Sequence, residues 1–521
     1  MRLLSATARG FVYGLLLVGC LSLADLTNAE PRFARIFSDY AVLQRDQLVP
    51  VWGFGANPAQ KLEVRFGDWQ ATAKVSRRGE WYVQLPRQPA NPTGRKLQLI
   101  VDGQTVAEIT DVVVGEVWLA AGQSNMGFTV RQIAKKLPEA KTFIESSRHP
   151  LVRMRRINDP VLEDREAKAS DLQPGGFWSP MTPLSVVNFS AVAAVYAREV
   201  FAELDVPIGI IDVSWGGKPI EPFIPREWYR GRVLEKILRL ADADALEELA
   251  KLSGGVIIRN PQGHPGAIFN ARMFPVSTYG LRGFIWYQAE SNCGKGEDPR
   301  EYRYKQARMI EAWRRIWVQG SSSDPRLPFY YVQLPSFPDA TGWIRMREEQ
   351  RLALSVADTA MAVTIDVRGE GIHPPDKLSV GRRLAALALS KTYGKLSDDV
   401  QGPMYAGHRL VNGVVRVQFK NAASGLMVGE KTGVKRAMKS AGELQWFELA
   451  DATGSWYPAK ARIDGREVVV SAAGLTKPVA VRYACHVQPQ GGNLYNRAGY
   501  PASPFCSDLK LLPWDDHGVE R

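Results

Sequence analysis

The sequence predicts an α/β fold with a mostly parallel central sheet, flanked by an N-terminal and a C-terminal β domain. Three observations carry this. Between Val112 and about Tyr393, apolar runs of strand length alternate with amphipathic helical stretches. Those runs lack polar alternation, as strands covered on both faces do. On either side of this region, short alternating segments meet at Asp-Gly or Asn-Gly pairs, the residues of tight hairpin turns.

The chain has 521 residues, too many for one core, so several domains are expected. Hydrophobic residues make up 45% and charged residues 23%, an ordinary globular balance that excludes wholesale disorder. The formal net charge is +12, but Lys and Arg are dispersed without a basic run. That dispersion argues against a nucleic-acid partner and suits an acidic glycan or a negative cell surface.

Residues 1–29 read as a secretory signal. Arg2 and Arg9 precede the apolar run Phe11 to Leu23, and Thr27-Asn28-Ala29 offers small residues for cleavage. Leu17-Val18-Gly19-Cys20 equally resembles a lipobox, which would leave Cys20 as a lipid anchor. Export, to the periplasm, the medium or a lipid tether, is expected either way. No later run reaches the roughly 20 apolar residues of a membrane span. Export would permit a Cys485–Cys506 disulfide and leave Cys293 unpaired. No CxxC or HExxH spacing is present, so no metal is expected.

Residues 30–111 form the predicted N-terminal β domain, with Asp102-Gly103 as a hairpin turn. Residues 112–395 form the α/β domain. Its strands are GEVWLAA, IGIIDVSW, LRGFIWY, FYYVQLP and MAVTIDV, and its helices span 189–204, 301–317 and 378–393. Arg226 to Leu252 reads as an inserted helical segment. Residues 396–482 form a second β domain with hairpins at Asn412-Gly413 and Asp464-Gly465. Residues 483–521 read as an ordered tail packed across another domain.

In open α/β sheets, ligands bind outside the carboxyl ends of the strands. Four strands end in polar knots: Gly122-Gln123-Ser124-Asn125, Gly216-Gly217, Gln288 to Asn292, and Glu370 to Pro375. Singly, each reads as a turn or a helix cap. Jointly they offer what acyl transfer needs. Ser124 is the candidate nucleophile, and His373 is the base that would take its proton. An acid beside the imidazole would hold its tautomer. The N–H of Ser124, an N–H of the Gly216-Gly217 turn and the Asn292 amide are candidate oxyanion donors. A helix starting at Ser124 would add its dipole.

These blocks resemble those of SGNH hydrolases of the sialate O-acetylesterase type. The likeness rests on Gly122-Gln123-Ser124-Asn125-Met126, Ser214-Trp215-Gly216-Gly217, Trp286 to Asn292 and Ile372-His373-Pro374. It extends to FSDYAVLQRD (37–46), FSAVAAVYAREV (189–200) and NLYNRAGYPASPF (493–505), nearly the whole chain after the leader. The resemblance implies an SGNH-type three-layer sandwich and a cofactor-free carbohydrate esterase that removes acetyl groups from sialic acids or from polysaccharides such as xylan. Two positions depart from the family pattern: Ala289 stands where Gly is usual, and Glu370 where Asp commonly precedes the Ile-His pair. Glu370 is the first candidate for the acid. Glu290 is the alternative, and a Ser–His dyad steadied by a backbone carbonyl is a third arrangement. Gln123, Trp215, Trp286, Trp343 and Arg347 are candidates for contacting the sugar. The competing reading is a carbohydrate-binding protein of the same fold with impaired catalysis; a lipase or thioesterase would want a long acyl channel that the sequence does not display.

Overall fold

The computed structural model describes residues 30–512, apart from 165, 253–260, 294–296, 322–323, 339–341, 368 and 370. The leader with Cys20, and the candidate acid Glu370, lie outside the described residues.

The central sheet is built from β1 (Gln104–Gly122), β2 (His149–Arg156), β3 (Ser179–Met181), β4 (Ile208–Asp212), β5 (Gly283–Tyr287), β6 (Phe329–Val332) and β7 (Thr359–Ala362). Their order is β3-β2-β4-β1-β5-β6-β7, with every pair parallel except β3 against β2. The chain leaves β1, builds β2 and β4 on one side, then crosses to build β5, β6 and β7 on the other. The carboxyl end of β1 is therefore the switch point where such sheets bind ligands.

Strand residues alternate between two cores. Trp118, Ala120, Ile210, Ile285 and Tyr287 face α2 (Ala191–Leu204) and α5 (Lys377–Lys391). Leu119, Ile211, Phe284, Trp286 and Phe329 face α3 (Tyr302–Ser321) and α4 (Gly342–Leu352), where Trp313, Trp317 and Trp343 are buried. Helix, sheet and helix make three layers.

β1 does not stop at the expected domain boundary. It runs unbroken through residue 111, pairing first with Asn91–Val101 across the Asp102-Gly103 turn and then with β4 and β5. Both turn residues have positive φ, +50° and +86°, as a type I′ hairpin requires. Val42–Gln44 adds a parallel partner at Val113–Gly115. At this seam the fully buried Glu116 carboxylate accepts from Arg45 and, at 2.6 Å, from Arg282 Nε.

The C-terminal region consists of antiparallel sheets. The tail is woven into them rather than laid over them: Leu494–Asn496 pairs with Leu426–Glu430, and Phe505–Cys506 with Ala480–Tyr483. Cys485 and Cys506 lie in one small apolar cluster as thiols, donating to Phe505 O and Asp508 O, each at 3.1 Å. The expected disulfide is thus not formed in this structure, and Cys293 is a third free, buried thiol. Among the described residues no helix is long and apolar enough to cross a membrane.

Candidate active site

β1 ends at Gly122, and the reason is steric. Its φ is +136°, and a Cβ there would lie 2.1 Å from Tyr287 O. Only glycine fits this close approach to β5. The next residue turns the chain, with Gln123 N–H donating to Tyr287 O at 3.0 Å. Ser124 then opens α1 (Ser124–Gly127), a single helical turn. Its dipole is correspondingly slight. The turn is held from behind by Ser190, whose hydroxyl donates to Met126 O at 2.6 Å while capping α2.

The loop after β7 brings His373 to this turn. His373 Nε2 and Ser124 Oγ are 2.8 Å apart, although 249 residues separate them in sequence. The imidazole packs against Phe128, with ring centroids 4.7 Å apart. Partial burial and the nearby Lys377 ammonium draw the His373 pKa below its ordinary value. The neutral, proton-accepting ring therefore persists to lower pH.

The loop after β4 forms the opposite rim. A Cβ on Gly216 would lie 3.6 Å from the Ser124 Cβ, and Gly217 has φ +67°. Trp215 N–H donates to Gly122 O at 2.9 Å, and one face of its ring is covered by the Arg272 guanidinium at 3.8 Å. Trp215 is half-buried, the sole member of the expected sugar-contacting set that keeps exposed surface.

The other four are buried. Gln123 Oε1 accepts from Gln288 Nε2 and Ser291 N–H. Trp286 sits among Phe223, Trp313 and Phe329. Trp343 donates to Pro335 O, and Arg347 donates to His486 O and Val487 O of the tail. All four are at most 3% exposed, which removes them from contact with a ligand. Their proximity in sequence to the strand-end blocks suggested the rim, but strand alternation and the tail's packing turn them inward.

Asn292 also differs from expectation. Its Nδ2 donates to the Glu221 carboxylate, and its Oδ1 accepts from Ile220 N–H at 2.9 Å and Gln288 Nε2 at 2.8 Å. Glu221 in turn is ion-paired with the buried Lys305 at 2.5 Å. The amide binds the glycine-pair loop to the asparagine block and is 1% exposed, so it serves as a strut between them.

Glu290 is buried, and burial raises its pKa. One carboxylate oxygen accepts from Asn125 Nδ2; the other, Oε2, has no hydrogen-bond partner among the described residues. Asn125 also donates to Ile372 O at 3.0 Å and accepts from the Lys377 ammonium. The sequence reading gave neither Asn125 nor Lys377 a role. Asn125 was legible only as part of the serine block, and Lys377 only as the first residue of an apolar helix.

A serine and an imidazole joined at the switch point of an open α/β sheet, beside a glycine turn, make a hydrolase-class site. Comparison with known proteins narrows the class. A family model for carbohydrate esterases, the sialic acid-specific acetylesterases, matches residues 266–390. Sialate O-acetylesterase from Mus musculus is 28% identical over 96% of this chain and 98% of its own length. The Homo sapiens sialate O-acetylesterase is 29% identical over 76% and 78%. The crystal structure of a carbohydrate acetylesterase from Xanthomonas citri superposes with a TM-score of 0.78 at 30% identity, covering 92% of this chain and all of that one. The chain belongs to the sialic acid-specific acetylesterase family of carbohydrate esterases.

Proposed function

We propose that this protein is an exported serine esterase that releases acetate from O-acetylated sugars, sialic acids or polysaccharides such as xylan, with Ser124 as nucleophile and His373 as base. The observation that carries the reading is the 2.8 Å contact between Ser124 Oγ and His373 Nε2. His373 takes the hydroxyl proton as Oγ attacks the acetyl carbonyl, forming a tetrahedral oxyanion. Collapse breaks the bond to the sugar oxygen, which leaves with the proton held by His373. Water, deprotonated by the same imidazole, then attacks the acetyl-enzyme and frees acetate and Ser124. The N–H of Ser124 and the Gly216-Gly217 turn are the proposed oxyanion donors, each worth about 3–4 kcal/mol in the barrier where such donors have been removed.

Glu370 remains the proposed acid on sequence grounds. Glu290 reaches the histidine loop through Asn125, which makes it a supporting group in this reading. The half-exposed ring of Trp215, stacked on Arg272, is the proposed platform for a pyranose face. The net charge of +12 favours an acidic glycan. Export rests on Arg2, Arg9 and the apolar run that follows them; N-terminal sequencing of the mature protein, with lipid labelling at Cys20, decides between the two leader types.

The test is Ser124→Ala. Acetate release from acetylated sialosides, xylans and pectins should fall by at least about 1,000-fold with the thermal unfolding midpoint unchanged. Residual turnover near the unsubstituted rate would remove Ser124 from the mechanism. The substrate panel reads out sugar preference in the same experiment.

A further inference from the structure

Behind the Ser124–His373 pair lies a buried polar cluster that touches neither reacting side chain with a hydrogen bond. Asn125 follows the nucleophile and is wholly buried. Its side-chain amide has every group committed: Oδ1 accepts from Lys377 Nζ, while Nδ2 donates to the Glu290 carboxylate and to Ile372 O at 3.0 Å. These partners come from three elements. Ile372 immediately precedes His373, Lys377 is the first residue of α5, and Glu290 stands in the loop after β5.

Two features separate this cluster from ordinary core filling. First, Lys377 on one side, its pKa drawn down to about 7 by burial, and the Glu290 carboxyl on the other favour one way for the amide to face, its oxygen toward the lysine and its nitrogen toward the carboxyl and Ile372 O. Second, the arrangement is costly. Lys377 is wholly buried and Glu290 is 6% exposed, and among the described residues Glu290 Oε2 lacks a hydrogen-bond partner. Buried charges of this kind are commonly replaced by apolar side chains without loss of stability. Fixed orientation is what the charges supply.

We propose that Asn125, oriented by Lys377 and Glu290, is a positioning residue for the hydrolytic reaction: by holding the carbonyl of Ile372 it sets His373 within reach of the Ser124 hydroxyl. The inference rests on Ser124 and His373 being the reacting pair. Lys377 has a second effect through space. It faces Asn125, Glu290 and Asp376, with the rings of Phe128 and Tyr287 5.9 and 5.5 Å away. Asp376 is itself ion-paired to Lys431 at 2.7 Å. His373 is faced by the Ser124 hydroxyl, the Phe128 ring and, among the described residues, the Lys377 charge, which acts to lower its pKa.

The experiment compares Asn125→Ala, Asn125→Asp and Lys377→Met with Ser124→Ala in acetate release from one acetylated sugar. Asn125→Asp keeps the size and the acceptor for Lys377 but deletes the donor to Ile372 O. Both Asn125 variants should lose about 100-fold in kcat with KM within about twofold, the signature of a misplaced base rather than lost binding. Asn125→Asp carries the test if Asn125→Ala does not fold. Lys377→Met should move the acid limb of the kcat/KM profile to higher pH, which a purely structural loss would leave in place. Full kcat in a folded Asn125 variant, or an unmoved acid limb in Lys377→Met, overturns the proposal. Turnover by Ser124→Ala would instead overturn the reading of the site itself.

Discussion

Ala289 is wholly buried at φ +146°, ψ −16°, a conformation that suits glycine and strains any residue with a Cβ. It opens the turn that carries Glu290 and Asn292. Strain of this kind costs of order 1–3 kcal/mol, and at so large a φ the upper end applies. Replacing Ala by Gly forfeits about 0.8 kcal/mol of methyl burial and about 0.5–1 kcal/mol of backbone entropy. Relief exceeds loss, so Ala289→Gly should stabilise the protein by about 1 kcal/mol, read as a raised denaturation midpoint. The sequence exposed this position as a departure from the family's glycine, but the dihedral that gives it an energy needed coordinates. His373 makes the second residue-scale prediction. Its pKa lies below the ordinary histidine value of 6.5 because of burial and the Lys377 charge. A base with lowered pKa stays unprotonated as pH falls, so the acid limb of kcat/KM should have its midpoint below 6.5. A midpoint above that value would show a carboxylate such as the proposed Glu370 outweighing burial and Lys377 at the ring.

At the scale of elements, the sequence was legible where hydrophobic pattern decides and opaque where buried charge does. The strands leading to Ser124, to Gly216-Gly217 and to Asn292 stand out as apolar runs. β2 does not, because its HPLVRMRR carries Arg153 and Arg155 inward. Arg153 donates to Pro150 O within the strand and to Asp111, and Arg155 Nη2 donates to Arg35 O, 120 residues away. α4 is hidden for the same reason: Arg345, Arg347, Glu348 and Glu349 are all buried, with Arg345 paired to Glu349 at 2.8 Å. A pattern reader sees a solvated helix or none. The helices that were legible also carry a close contact that the pattern could not reveal. A Cβ on Gly381 of α5 would lie 2.7 Å from Val195 Cβ and 2.8 Å from Val192 O of α2. Gly381→Ala should therefore push these helices apart and cost about 1–3 kcal/mol, measured by denaturant unfolding.

At the scale of the molecule, the N-terminal region is fastened to the central sheet by charge as well as by strand pairing. Glu116 is fully buried, and though burial alone would raise its pKa, Arg282 and Arg45 hold it below the ordinary carboxylate value. Arg45 follows the strand Val42–Gln44 and Arg282 directly precedes β5, so one carboxylate joins three segments. Removing it takes this carboxylate from Arg282 and leaves Arg45 to Asp46 at 3.5 Å. Glu116→Gln should destabilise by about 3–5 kcal/mol, seen as a lower denaturant midpoint. The domain plan was read from composition shifts. It set a border at residue 111 because the hairpin pattern ends and the apolar run begins there. The strand continues through that point with a bulge at Asp111, whose φ is +52°, so one strand satisfies both patterns in turn.

That continuity has a mechanical meaning. The ribbon beginning at Gln104 ends at Gly122, one residue short of the turn that holds Ser124. Its 19 residues span about 60 Å of covalently continuous backbone, paired on one side at first and on both sides from Val113 through most of the remainder. The accessory region is therefore no pendant that can be trimmed or exchanged. Severing the chain at the compositional seam would cut the beam on whose far end the reactive alcohol is mounted.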